Sequence, residues 1–356
     1  MQRPARLADG RDLIYFDDAD TTLGPDRRID ERTLDPRPAT AIARQDVLTG
    51  DWISIASARQ DRVLLPPAHL DPLAPQSPGN PSELPDQYDV AVFENRSPAF
   101  GPGTGVVDTA GLGFERTVPA TGRCEVVCFS PESTGSLGAQ TVSRVRTVVE
   151  AWAERTAALS AIDGVEQVVP FENRGEAIGV TLPHPHGQIY AYPFVTPRTR
   201  RMLAAADRIG PDLFARLLDH ETTGPRMVLE GEHWAAFVPF AARWPLEVHL
   251  VPRRHVPDLA ATTAPERDEL AVLHRRLLRG VDALYETPTP YIAAWHQAPV
   301  NIGRDVLRLH LQLTSPRRGA DRLKFLAGSE AAMGAWVGDV VPERQAEQLR
   351  AALAAI

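Results

Sequence analysis

In the stretch Leu182-Pro183-His184-Pro185-His186-Gly187-Gln188-Ile189-Tyr190-Ala191-Tyr192-Pro193-Phe194, two histidines flank a proline, and a glycine and a glutamine follow. A period of two puts His184, His186 and Gln188 on one face of an extended segment. A neutral imidazole is a nucleophile at pH 7, because its ordinary pKa lies just below that value. Pro185 fixes one backbone torsion between the histidines. Gly187 is expected to let a bulky anion approach the backbone, and Gln188 can donate an amide N–H to a phosphoryl oxygen. Together these are the parts of a covalent phosphoryl or nucleotidyl transfer site. Two histidines on one strand face also suit a metal. A histidine standing alone is more simply a core residue, and His233, His249, His255 and His274 are read that way.

The elements that must hold this strand are legible as a repeat. Strand Glu125–Ser130 reaches Pro131, a small-residue loop, and then a helix with apolar positions at Val142, Val145, Val149, Trp152 and Leu159. Phe171-Glu172-Asn173-Arg174 and the histidine strand follow. Later, strand Glu247–Val251 reaches Pro252, a loop, and a helix carrying Leu270, Leu273, Leu277, Val281 and Leu284. Trp295-His296-Gln297-Ala298-Pro299 and a strand over Leu307–Leu313 come next. The intervals from Pro131 to His186 and from Pro252 to His310 are nearly equal, and Gln188 and Gln312 each follow their histidine by two. This pattern predicts a duplicated α+β unit, a mostly antiparallel sheet with helices packed on one side. Residues 1–45 read as an N-terminal arm, although Arg11–Phe16 has the composition of a strand. Residues 46–200 form the first half and 201–356 the second, which lacks the Pro-His-Gly pattern. A turn flanked by strands is expected over Val47–Ile55, and a long loop over 66–88.

The chain has 356 residues and a formal charge of -8, with no basic stripe, which argues against a nucleic-acid partner. No apolar run has the length of a membrane span. The opening Met-Gln-Arg-Pro-Ala-Arg has no apolar leader, so a cytoplasmic location is expected. Cys124 and Cys128 fall on one strand face, a poor geometry for a disulfide, and are read as small buried residues.

The histidine strand, together with Leu48-Thr49-Gly50-Asp51-Trp52, Phe93-Glu94-Asn95-Arg96, Cys128-Phe129-Ser130-Pro131, Phe171–Gly175 and Ala294–Pro299, resembles the galactose-1-phosphate uridylyltransferase family of the histidine-triad superfamily over residues 45 to 340. Histidine-triad hydrolases carry a third histidine where Gln188 stands. The resemblance implies a double displacement. His186 attacks the α-phosphorus of UDP-glucose and releases glucose 1-phosphate, and galactose 1-phosphate then takes the uridylyl group. It implies Arg59 and Arg62 as diphosphate ligands supplied by the neighbouring subunit of a homodimer. Asn95 and Arg96 fall near the nucleoside, and Asn173, Gly179, Val180 and Thr181 around the α-phosphate. Lys324, Phe325, Ser329 and Glu330 fall at the hexose. No cofactor is required for this chemistry.

Many relatives of that family hold a structural zinc. In this chain the corresponding positions are Asp71, Ala74, Ser133 and His184, of which only Asp71 and His184 are good donors, so the zinc is expected to be lost or weakened. A second family metal site retains His296 and His310, but Gln312 and Met202 replace its other ligands. Two rival readings stay open on the residues: a related nucleotidyltransferase or phosphorylase moving AMP, as from ADP-glucose or a diadenosine polyphosphate, and a non-catalytic nucleotide-binding protein.

Overall fold

The structure, a computed structural model, describes residues 1–37, 41–57, 67–102 and 113–356. The first strands are β1 (Gln2–Arg6), β2 (Asp12–Phe16), β3 (Ile42–Gln45), β4 (Trp52–Ile55), β5 (Val90–Glu94), β6 (Thr117–Pro119) and β7 (Arg123–Cys128). Helix α1 (Val142–Ser160) leads to β8 (Gln167–Arg174) and β9 (His186–Tyr192), and α2 (Pro197–Ile209) and α3 (Leu213–Thr222) follow. The second half has β10 (Met227–Glu230), β11 (Trp234–Phe237), β12 (Leu246–Pro252), α4 (Ala264–Asp282), β13 (Tyr291–His296) and β14 (His310–Ser315). A short hairpin of β15 (Arg317–Gly319) and β16 (Arg322–Leu323), then α5 (Gly328–Met333) and α6 (Pro342–Ala354), close the chain.

Eleven strands form one sheet in the order β1-β2-β5-β7-β9-β8-β13-β14-β12-β11-β10. Its adjacent pairs are antiparallel. Read outward from the central β8–β13 pair, the order is β9, β7, β5 on one side and β14, β12, β11 on the other, so the expected duplication appears as a pseudo-two-fold. The centre is sewn by reciprocal bonds. Gln167 Nε2 donates to the Gln297 carbonyl at 2.9 Å, and Gln297 Nε2 donates to the Val168 carbonyl at 2.9 Å.

Both long helices start where a threonine accepts from a first-turn backbone amide, Thr141 from Arg144 and Thr263 from Glu266. At Thr263 the Glu266 carboxylate returns the bond, completing a capping box. Their apolar stripes fall on the expected residues except Val142, which opens α1 exposed, and Leu284, which lies past the end of α4 and is only partly buried. Val145, Val149 and Leu159 of α1, and Leu270, Leu277 and Val281 of α4, are fully buried in one core with one face of the sheet. Trp152, Trp295 and Trp234 meet edge-on within it at 6.1 and 6.0 Å; truncating any one of them should cost about 3–5 kcal/mol. α6 packs on α4 and β10. In addition, α3 lies on the other face of the second half, where Leu218 meets Ala235, Phe237 and Val251.

The N-terminal segment read as an arm is the edge of the main sheet, since β1 and β2 pair with each other and β2 pairs with β5. Its charges are neutralised internally: Asp17 pairs with Arg3 and Arg27, and buried Arg11 pairs with Asp9 and Glu83. β4, β3 and β6 make a separate three-stranded sheet. The expected strand Leu307–Leu313 begins later, at His310, because Leu307 and Leu309 bond outside the ladder. Both cysteines are buried in β7. Among the described residues no helix is long and apolar enough to cross a membrane.

Candidate active site

β9 alternates half-buried and buried from His186 to Tyr192, which confirms the period of two. His186, Gln188, Tyr190 and Tyr192 share the outer face, and Gly187, Ile189 and Ala191 face the core. Gly187 therefore has a different role from the one expected. A Cβ there would lie 2.8 Å from Phe129 Cζ and 2.9 Å from the Phe171 carbonyl oxygen, so the glycine serves close packing behind the strand. His184 does not share the outer face of β9, but it bonds to loop residues, as expected of it where the zinc is lost. It precedes β9 and is 1% exposed, with both ring nitrogens engaged. Its Nδ1 is 2.7 Å from Asp71 Oδ2 and its Nε2 is 2.7 Å from the Ser130 carbonyl oxygen, with the Tyr88 hydroxyl at 3.1 Å. Burial raises the Asp71 carboxyl, but hydrogen bonds from His184 and Ser133 outweigh it and hold the group down at about 2.

This buried knot sets the reactive group. The His184 carbonyl accepts the hydrogen bond of His186 Nδ1 at 2.8 Å. Nδ1 thus carries the proton, and Nε2 carries the lone pair. Burial pushes the His186 imidazole below its ordinary value, which keeps it neutral and nucleophilic at pH 7. A cavity of about 270 Å³ lies beside it, lined by Asn173, Val180, Ser136, Arg174 and His186 among others. Gly179, at φ +83°, turns the chain into Val180 and Thr181 on the way to the histidines. Gln188 lies opposite Val126 and Phe171, and among the described residues its carboxamide has no hydrogen-bond partner. It shares the outer face with His186 but does not line the cavity.

Ser136 and Arg174 were not singled out from the sequence. Ser136 lies in the small-residue loop after Pro131, where nothing local marks it. Arg174 ends the Phe-Glu-Asn-Arg block, and its guanidinium is held by Asp282 at 2.7 Å and lies over the Tyr291 ring. Glu172, under the same cavity, is pushed up to about 7 by burial. That lowers the negative charge a phosphate would meet there.

The other expected residues are dispersed. Asn95 Oδ1 accepts from Ser97 N at 3.0 Å, a turn after β5, and Arg96 Nη2 donates to the Asp35 carbonyl at 2.9 Å. Neither lines the cavity. Lys324 is buried between Glu330 and Asp339, 3.4 Å from each; Ser329 donates to the Ala335 carbonyl, and Phe325 is 77% exposed. None of these four lines the cavity beside His186 either. Arg59 and Arg62 lie outside the described residues.

Of the four positions expected to hold a structural zinc, only Asp71 and His184 carry good donors. Two ligands of a tetrahedral zinc stand about 3.3 Å apart, given ligand distances near 2.0 Å. His184 and Asp71 are in direct hydrogen-bond contact instead, and the remaining ring nitrogen faces a carbonyl. Around His310 the second-half remnant is likewise tied up. His296 stacks on His310 at 4.7 Å and 9°, and its Nε2 is 3.1 Å from Gln312 Oε1. Among the described residues, no group of three or more His, Cys, Asp or Glu side chains is placed to hold a metal.

Two family models match the chain in tandem: "Galactose-1-phosphate uridyl transferase, N-terminal domain" over residues 34–196 and the C-terminal domain of the same family over 211–356. The chain belongs to the galactose-1-phosphate uridylyltransferase family. A galactose-1-phosphate uridylyltransferase of Streptomyces lividans is 43% identical over 97% of this chain and 96% of its own length. One from Thermotoga maritima is 35% identical over 86% of this chain and 97% of its own. A solved uridylyltransferase structure superposes with a TM-score of 0.80 at 30% identity, covering 88% of this chain and 99% of that one. The boundary between the two matched domains falls near the junction of the two structural halves.

Proposed function

We propose that this protein transfers the uridylyl group of UDP-glucose to galactose 1-phosphate through a covalent uridylyl-His186. The observation that carries the reading is the His184 carbonyl on His186 Nδ1, which leaves Nε2 as the nucleophile beside the cavity. Nε2 attacks the α-phosphorus, a P–N bond forms, and the P–O bond to glucose 1-phosphate breaks with its electron pair on the departing phosphate oxygen. No proton need be supplied, since that phosphate is a good leaving group. The ring becomes an imidazolium whose Nδ1–H still points at the His184 carbonyl. A phosphate oxygen of galactose 1-phosphate then attacks phosphorus, and the P–N electron pair returns to Nε2. Gln188 donates to a non-bridging oxygen in both steps. Asn173 and the Gly179–Thr181 turn hold the α-phosphate.

Zinc has no part in this reading: the Asp71–His184 hydrogen bond takes the place of a metal in orienting the His184 carbonyl. One experiment tests both statements. After dialysis against a chelator, brief exposure to UDP-glucose should add one UMP per chain by mass spectrometry, on His186, and ADP-glucose should add nothing. An AMP adduct would favour the AMP-transferring relative, and loss of labelling on chelation would restore a metal.

The protein acts as a homodimer with shared sites. An acidic chain needs local cations for a diphosphate, and Arg59 and Arg62 from the partner supply them. The Lys324–Glu330 segment, which does not line its own chain's cavity, meets the hexose from the partner in the same way. Its charged substrates place the enzyme in the cytoplasm. Mixing an Arg59→Ala, Arg62→Ala protein with a His186→Asn protein should restore activity toward one site in two, and verified subunit exchange without recovery would put the arginines in the same chain as their histidine.

A further inference from the structure

A second cavity, of about 390 Å³, lies on the outer face of the second half, against the strand that carries His310. Its walls are apolar: Met202 and Ala205 of α2, Phe214 and Leu217 of α3, Phe237 of β11 and Val251 of β12. The volume is within the range of small-molecule sites. α4 covers the opposite face of the same strands, so this cavity is separate from the helix-side core.

The charges in the wall do not cancel. Glu221 is consumed by Arg226, which grips it at 2.9 and 3.0 Å. Arg198 has no hydrogen bond or ion pair within 4 Å among the described residues. Burial and the nearby Arg243 push its guanidinium below the ordinary value, only partly offset by the Glu247 carboxylate, which is not within 4 Å of it. Arg308 is buried; its Nη1 donates to the Pro252 and Arg253 carbonyls, while its buried Nε has no partner. His249 Nε2 is turned to Glu247 Oε1 at 3.4 Å and so is not a free donor. Apolar walls around donors that lack an acceptor describe a site for one chemistry. A buried donor left unsatisfied is costly, and an anion in a low-dielectric wall is held far more tightly than in water.

We propose that this cavity is a second ligand site, distinct from the His186 cavity, that takes a small organic anion with an aromatic or aliphatic body, its acid group on Arg198 and its body among the α2 and α3 side chains. The two sites occupy the two halves of one duplicated fold, one retained for covalent chemistry and the other for binding alone.

The test uses the full-length protein and two fluorescent probes, 1-anilinonaphthalene-8-sulfonate and its uncharged counterpart N-phenyl-1-naphthylamine. The sulfonate should bind saturably, one per chain, without competition from UDP-glucose. Arg198→Gln should weaken the sulfonate about tenfold and leave the neutral probe unchanged. Ala205→Trp, which fills the cavity, should abolish binding of both, and neither variant should change uridylyl transfer. Competition by UDP-glucose would place the probe at the reactive site. Equal affinity in wild type and Arg198→Gln would reduce the cavity to an apolar patch, and unchanged binding in a folded Ala205→Trp protein would place the probe elsewhere; each of these outcomes, like absence of saturable binding, overturns the proposal.

Discussion

The strands bearing His186 and His310 are the same device in two states. In each, histidine Nδ1 bonds the carbonyl two residues earlier, His184 at 2.8 Å and Arg308 at 3.0 Å, so the backbone selects the same tautomer in both halves. What surrounds the other edge of the ring differs. Both rings line a cavity, but His186 is only half-buried, and among the described residues its glutamine partner makes no hydrogen bond. His310 is 7% exposed and stacked on His296, and Gln312 is clamped between Glu247 at 2.5 Å and His296 at 3.1 Å. Tautomer is therefore a property of the strand and cannot by itself make a nucleophile. A more exposed ring free of a stacked partner, and a glutamine not already committed, separate the half read as reactive from the other.

The largest expected contrast is between the two histidines. His186→Asn should lower uridylyl transfer by at least about 10⁴-fold, since a nucleophile and not a helper is removed. His310→Asn should leave transfer within a few-fold. Comparable losses in steady-state assays of both variants would make the two halves functionally equivalent and sink the distinction. Next come the glutamines. Gln188→Ala should slow both half-reactions about 10²–10³-fold, the effect of losing one positioned oxyanion donor. Gln312→Ala should instead lower stability by about 1–3 kcal/mol, because Glu247 and His296 lose a buried partner, with kcat little changed. Half-reaction rates measured beside urea unfolding separate the two outcomes.

Much of this contrast is readable in the sequence, because it rests on local patterns. The His-x-Gln repeat, the apolar periods of the two long helices and the period of two in β9 each lie within a few residues. The parts that escape are long-range. Only the resemblance brings Asp71 to His184, from more than a hundred residues earlier, and nothing local announces Tyr88 or the burial of the ring. Gly187 follows the reactive histidine and reads as a ligand-facing glycine, but the side of the strand it faces depends on where Phe129 packs. Residues 1–45, apart from the strand-like Arg11–Phe16, read as an arm because they are rich in Asp, Arg and Pro; Arg11–Glu83 and Arg27–Asp17 bury some of those charges at the sheet edge. The Lys324–Glu330 motif is legible, whereas its distance in the fold from its own chain's histidine is not.

The smallest expected effect concerns stability, and it too sets one half against the other. Counted from the capping threonines Thr141 and Thr263, Trp152 and His274 occupy the same helical position, and their rings lie 5.8 Å apart. One half has placed an indole there and the other an imidazole. His274 is 1% exposed, both of its ring nitrogens lack partners, and burial pushes it down to about 4. The sign follows from linkage. Between the ordinary value near 6.5 and about 4, the unfolded chain binds a proton that the folded chain refuses, so stability falls as pH falls across that window. The slope approaches about 1.4 kcal/mol per pH unit, a loss of roughly 3 kcal/mol across the window. Below about 4 both states are protonated and this histidine contributes no further slope. His274→Leu, close in volume and unable to titrate, should remove that part of the acid limb and match or exceed the wild type at pH 7, because two unsatisfied polar atoms leave the core. Urea unfolding from pH 8 to pH 4 reads the difference directly. Parallel stability curves for the two proteins would mean that His274 finds a partner for its proton in solution, and that the two helices are more alike electrostatically than their Trp152–His274 contact indicates.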